Sequence, residues 1–151
     1  MHRTLAAAAT ALLLSTAAAG AFGYRSTAAD DPAYGLAMGL IAQQRYADAV
    51  PLLKQVVARN PQDADGYNEL GFTARKLGDA TTAKAYYGIA LQLDPNHLGA
   101  IEYLGELYAE TGELPKAEAQ LARLATLCHG TCAALGDLQA AIQRHQPKAA
   151  G

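Results

Sequence analysis

The sequence predicts an all-α fold, an α-solenoid of three helical hairpins plus a C-terminal capping helix, and three observations lead there. The first is a period. Asn60-Pro61 returns as Asp94-Pro95 34 residues later, and the same step links Ala49, Ala83 and Ala117, then Leu36, Leu70 and Leu104, then Leu53, Tyr87 and Leu121. The second is apolar spacing at helical intervals between the breaks. The third is the placing of Gly78 and Gly112, which split the second and third copies into two halves. One helix pair cannot bury its apolar face alone, so stacked copies supply a continuous core.

The elements follow in chain order. Met1-His2-Arg3 is a short basic head, and Leu5 to Ala21 carries no charge, with Leu12-Leu13-Leu14 at its centre and small residues after it. Residues 1–21 therefore read as a secretory signal with cleavage options after Ala19 or Ala21. The other reading is an uncleaved anchor, and the stretch falls just short of the roughly 20 residues that span a bilayer. The small-residue junction favours cleavage. No Cys lies near the junction to receive a lipid. Residues 22–31 form a polar spacer. Asp31-Pro32 opens the first helix, with Asp as cap and Pro in the first turn, and that helix is expected to reach Gln44. The second covers 46–59, presenting Ala49, Leu52, Leu53, Val56 and Val57, with Pro51 near enough to its start to be tolerated. The next pairs are expected over 63–77 and 79–93, then 97–111 and 114–127. A seventh helix over 132–145, with Leu135, Leu138 and Ile142 on one face, caps the last apolar surface. The repeat domain is thus 32–146, with repeats at about 30–63, 64–97 and 98–131, and residues 147–151 form a frayed tail.

The central copy carries Tyr67, Leu70-Gly71, Ala83, Tyr87, Ala90 and Pro95. The third has Leu104-Gly105, Tyr108 and Ala117, and the first has Leu36-Ala37, Leu40, Ala49 and Pro61. With a step of about 34 residues, this pattern resembles the tetratricopeptide repeat family. Leu124 and His129 depart from it, so the third repeat exits differently. Ala74 replaces an aromatic, and Ala37 replaces Gly. The small residues Gly71, Gly105 and Ala83 let helices approach closely, and Leu70 and Tyr87 fill the layer between repeats.

The resemblance implies a non-catalytic protein-interaction module or scaffold whose concave groove is lined by the first helix of each pair. Its groove positions fall here on Tyr34, Met38 and Ile41, then Asn68, Phe72, Arg75 and Lys76, then Glu102, Tyr103, Glu106 and Glu110. This mixed strip suits a peptide or partner helix. Phe72 is expected to be exposed, opposite the Leu70/Ala74 packing side. Some members clamp a partner's C-terminal carboxylate with Lys and Asn from successive repeats. Asn68 with Arg75 and Lys76 supplies only part of that set, and Glu102 and Glu106 oppose it. The series Glu102, Glu106, Glu110 and Glu113 reads as a solvated face, and Tyr67, Tyr86, Tyr87 and Tyr108 read as core.

Both cysteines lie in Cys128-His129-Gly130-Thr131-Cys132. In an oxidising compartment such a pair usually closes, which would pin the capping helix. Two other readings compete with this disulfide. One is a soft-ligand metal site of Cys128, His129 and Cys132, incomplete without a fourth ligand from His97 or His145. The other is a redox-linked accessory role, although the spacing is not C-x-x-C. There is no Gly-rich phosphate loop, no H-E-x-x-H and no G-x-S-x-G, so no enzyme activity and no cofactor are expected. Formal charge is −2, from 12 basic and 14 acidic residues, which leaves no nucleic-acid footprint. Removing Arg3 with the signal leaves 11 against 14, or −3. The expected setting is bacterial and exported, periplasmic or secreted, with no membrane span after cleavage. Expected partners are a protein or peptide, with self-association through a solenoid face also open.

Overall fold

The computed structural model describes residues 28–146. The signal segment 1–21, most of the spacer and the tail 147–151 lie outside the described residues. A 3-10 turn, Ala28–Asp30, precedes seven helices: α1 (Pro32–Ala42), α2 (Tyr46–Arg59), α3 (Ala64–Lys76), α4 (Ala80–Leu93), α5 (Leu98–Glu110), α6 (Leu114–Leu127) and α7 (Ala133–His145). These are three antiparallel hairpins, α1/α2, α3/α4 and α5/α6, followed by the capping helix. The end of the spacer is not purely polar linker. Ala28 is buried against Ala33 and Val56, because the first hairpin has no preceding repeat to cover it there.

α1, α2 and α6 start where the sequence predicts, while α3, α4, α5 and α7 each start one residue later; in α3, α4 and α5 the reason is capping. Asp31, Asp63 and Asp79 stand just outside their helices, with side chains accepting from the N–H groups of Ala33 (2.9 Å), Gly66 (3.2 Å) and Thr82 (3.0 Å). His97 does the same with Nδ1, accepting from Ala100 N–H at 3.1 Å. Each side chain satisfies one of the backbone donors that a helix start leaves free. Arg59 at the far end of α2 grips both Asp31 oxygens, at 2.7 and 2.8 Å, and so closes the first hairpin.

The three hairpin turns share one geometry. Asp79 N–H donates to Ala74 O (2.9 Å) and Glu113 N–H to Tyr108 O (2.7 Å), the six-residue closure of a Schellman turn. Gly78 (φ +83°) and Gly112 (φ +78°) occupy its left-handed position. In the first hairpin Arg45 N–H donates to Leu40 O in the same way, but the left-handed residue is Gln44, at φ +60°. That conformation crowds Cβ, and it ends α1 at Ala42, two residues short of the expected end.

Close approach accounts for two other glycines. A Cβ on Gly71 would stand 2.6 Å from the Tyr87 ring, and one on Gly105 would stand 2.6 Å from Leu138 of α7. Gly71 thus seats α4 on α3, whereas Gly105 mainly admits the capping helix. Tyr87, Leu53, Leu70, Ile101, Leu107, Leu124, Leu138 and Val56 are fully buried, each worth about 1.5–3 kcal/mol of burial. Tyr67, Tyr86 and Tyr108 pack half-buried against the same clusters. Leu36 departs from its periodic partners. Leu70 and Leu104 are buried, but Leu36 is 64% exposed, since no second helix of an earlier repeat stands over it.

Helix contacts set the curvature. Across repeats, α3 touches α5 and α5 touches the capping helix α7, while among the described residues neither α1 and α3 nor any two second helices meet to the same extent. The first helices therefore form the tighter, inner layer. No helix among the described residues is long and apolar enough to cross a membrane.

Candidate functional site

The inner layer carries the side chains that the sequence places in a groove. Tyr34, Met38 and Ile41 stand half-buried on α1. From α3 and α5, Phe72 and Tyr103 meet with ring centroids 5.1 Å apart. Phe72 is not the exposed residue that the sequence suggests. It is half-buried, edge-on to Tyr46 from the start of α2 (6.1 Å), and Lys76 Nζ sits 5.2 Å from its centroid. Three repeats thus contribute to one aromatic surface.

Arg75 holds that surface rigid. Its guanidinium is buried and forks to Glu106 (2.6 Å) and Glu110 (2.8 Å) on α5. It also lies 5.7 and 5.6 Å over the Phe72 and Tyr103 rings. Its planar fork suits two carboxylates and two ring faces at once. Arg75 is therefore an internal strut between repeats rather than a free groove cation. Asn68 is likewise buried, with Nδ2 donating to Glu69 Oε1 at 3.1 Å, and its own Oδ1 has no hydrogen-bond partner. Lys76 remains exposed.

The acidic series along α5 and the turn after it divides rather than forming one solvated face. Glu106 and Glu110 serve Arg75. Glu113 binds Lys84 (2.7 Å) and Lys116, which together hold its carboxyl down at about 2. Glu102 has no cation beside it. Burial first, then the charges of Glu106 and Asp137, push its carboxyl up to about 7 against a weaker opposite pull from Arg75. Glu69 is also pushed up, chiefly by burial. Burial and the fields of Glu69, Asp65 and Asp63 raise the Tyr34 phenol. Burial first, then the charges of Glu102 and Glu69, raise the Tyr103 phenol. Asp65 is lowered by His97, whose Nε2 lies 2.9 Å away. Because Nδ1 of this His accepts a backbone N–H, Nε2 carries the proton and donates to Asp65.

Tyr46, Glu69 and Asp137 belong to this surroundings and were not among the sequence candidates. The period finds two of them. Steps of 34 in either direction from Tyr103 reach Glu69 and Asp137. Tyr46 carries no such signal, since it comes from a second helix.

Cys128 and Cys132 face each other with Cα atoms 5.7 Å apart, across a turn where His129 (φ +49°) and Gly130 (φ +85°) are left-handed. Among the described residues no group of three or more His, Cys, Asp or Glu side chains is placed to hold a metal ion. The Cys128, His129 and Cys132 set is not assembled as ligands.

Two family models described as tetratricopeptide repeat match the chain, over residues 34–83 and 74–142. The uncharacterized protein ycf37 of Pyropia yezoensis is 35% identical over 89 residues, which cover 59% of this chain and 47% of that protein. The Hsp70-Hsp90 organizing protein of Triticum aestivum is 40% identical over 60 residues, 40% of this chain and 10% of that protein. The chain thus spans less than half the length of these curated relatives. Among solved structures, the type III secretion translocator chaperone SycD of Yersinia enterocolitica, in complex with a peptide of the translocator YopD, is similar with a TM-score of 0.67. Its identity is 18%, over 75% of this chain and 88% of that one, a likeness of fold.

Proposed function

The chain belongs, over residues 34–142, to the tetratricopeptide repeat family, and on that premise we propose that it is a non-catalytic protein-interaction module. It takes a peptide or partner helix across the inner layer of first helices. One observation carries this reading: Tyr34, Phe72 and Tyr103, from three successive first helices, remain half-buried on the inner face, while Tyr87 of the second-helix layer is fully buried. Aromatic side chains held in place supply contact area at low ordering cost, as binding surfaces require. The SycD structure, with the same fold, was captured with a peptide of its partner.

The test is site-specific crosslinking in the native cell, with a photoreactive residue at Met38 or at Lys54. Met38 is half-buried on α1, and Lys54 is exposed on α2. A discrete partner adduct at Met38 and none at Lys54 is expected. Adducts confined to Lys54 would place the binding surface on the outer layer and overturn the reading.

Export to a periplasmic or extracellular compartment, with Cys128 and Cys132 closed as a disulfide, forms part of the same proposal. The Cα separation supports it, since it lies in the range a disulfide spans. Intact mass of the purified protein, alkylated under denaturing conditions with and without reduction, reads both. The expected result is loss of a segment ending at Ala19 or Ala21 and thiols that react only after reduction. Free thiols in unreduced protein would remove the disulfide, and an uncleaved chain would remove the signal.

A further inference from the structure

Charge is sorted between the two helix layers. Helices α1, α3, α5 and α7 carry six carboxylates against three Lys or Arg, a net −3, while α2, α4 and α6 carry two against five, a net +3. The excess on the inner layer is not neutralised internally. Arg75 is committed to Glu106 and Glu110, and His97 to Asp65. Among the described residues Glu69, Glu102 and Asp137 form no salt bridge.

We infer that the segment received by this groove is cationic, with Lys or Arg side chains entering beside Glu69 and Glu102 and lying against the Tyr34 and Tyr103 rings. This rests on the inner layer being the binding surface. A cation beside either of these carboxylates gains a negative partner and a neighbouring tyrosine ring at once, the combination that ammonium and guanidinium groups favour. Asn68 adds an independent observation. It is only 4% exposed, its Nδ2 is bound to the Glu69 carboxylate, and its Oδ1 has no donor. A buried acceptor without a donor is uncommon, and a cationic side chain drawn to Glu69 brings donors to it. A partner's carboxylate terminus would instead meet uncompensated negative charge.

The test uses three synthetic helical peptides, identical except for Lys, Gln or Glu at the same positions, titrated into the ¹⁵N-labelled full chain and followed by NMR. The Lys peptide is expected to shift Tyr34, Asn68 and Glu102 resonances, the Gln peptide to do so more weakly, and the Glu peptide to leave them unmoved. The double variant Glu69→Gln/Glu102→Gln, with its spectrum still dispersed, should bind the Lys peptide about tenfold more weakly, the size of lost charge-assisted contacts. Glu118→Gln on the outer layer should change nothing. If the Gln or Glu peptide binds the groove as well as the Lys peptide, the charge inference falls and the groove reading stands. If the Lys peptide shifts only outer-layer residues, or none of the three peptides binds, the inference falls, and the Met38 crosslink then decides the groove reading on its own. Concentration-dependent sedimentation abolished by the same double variant would assign the groove to the basic outer layer of a second copy, which also overturns it.

Discussion

At the residue scale, Glu102 and Arg75 show opposite solutions to the same problem of charge near a core. Glu102 is half-buried without a cation, so its folded-state carboxyl titrates at about 7 instead of near 4.5. A folded pKa above the unfolded one means that the folded chain binds more protons between those values. The contribution is fully present below about 4.5 and is lost as pH rises through about 7. Wild type should therefore lose stability relative to Glu102→Gln between pH 5 and pH 8.5 in urea unfolding, and parallel pH profiles would refute the assignment. Arg75 is instead paired through both terminal nitrogens, with Glu106 and Glu110. Arg75→Leu strands the carboxylate of Glu106, which is largely buried, and should cost about 2–3 kcal/mol, below the 3–5 of a wholly buried pair because Glu110 is partly solvated. Arg75→Lys should not restore it, since an ammonium lacks the fork. Phe72→Ala should lower stability by about 1–3 kcal/mol, because the ring lies between Tyr46 and Tyr103 rather than in solvent. Unchanged unfolding would put Phe72 back in solvent. The sequence named Phe72, Arg75 and the glutamates by their register. Their environments were not legible there, because Tyr46 and Tyr103 reach Phe72 from other helices and Arg75 finds its carboxylates 31 and 35 positions away.

At the element scale, what the sequence shows best is what depends on near neighbours. The Asp31 cap of α1 was legible, and α2 and α6 have the expected bounds, because capping and helical spacing are written within one or two turns of chain. The period also says where the glycines belong, and so where one is missing. Gln44 occupies the left-handed slot that Gly78 and Gly112 fill. Gln44→Gly should stabilise by about 0.5–1 kcal/mol, since relief of left-handed crowding exceeds the added freedom of the unfolded chain. A loss of stability in thermal and urea unfolding would show that the Gln44 side chain makes a compensating contact. Gly105→Ala should act in the opposite sense. Alanine improves helix propensity by about 1 kcal/mol, but the new Cβ meets both terminal carbons of the fully buried Leu138, at 2.6 and 2.8 Å. The capping helix must shift, for a net loss of about 1–2 kcal/mol. Pairing it with Leu138→Ala should recover part of the clash term, giving a double-mutant loss smaller than the sum.

At the scale of the whole molecule, the two ends of the solenoid are unequal, and a period alone cannot reveal this. Repetition assigns Leu36, Leu70 and Leu104 one role, yet a linear array has a first member with no predecessor. Leu36 stands in solvent, beside a cleft lined by Leu36, Leu52, Val56 and Arg59. The other end is closed by α7, whose Leu138, Ala141 and Ile142 are buried. Helix α5 has α4, α6, α7 and α3 around it, while α1 rests chiefly on α2 and the short 3-10 turn. Stability in such an array is a sum over neighbours, so opening should begin where neighbours are fewest. Native-state hydrogen exchange should then show α1 amides exchanging through the smallest opening free energy and α5 amides through the largest. Leu36→Gln should stay within about 0.5 kcal/mol of wild type, as exposed substitutions do, while Leu70→Ala loses about 2–5 kcal/mol. Uniform protection from α1 to α7 would mean that the array opens as one cooperative unit. Slow exchange in α1, together with a costly Leu36→Gln, would mean that another surface covers Leu36 in solution. Because α1 contributes Tyr34 and Met38 to the inner layer, the least stable element also forms one wall of the proposed groove. A bound segment should therefore slow α1 exchange more than that of any other helix.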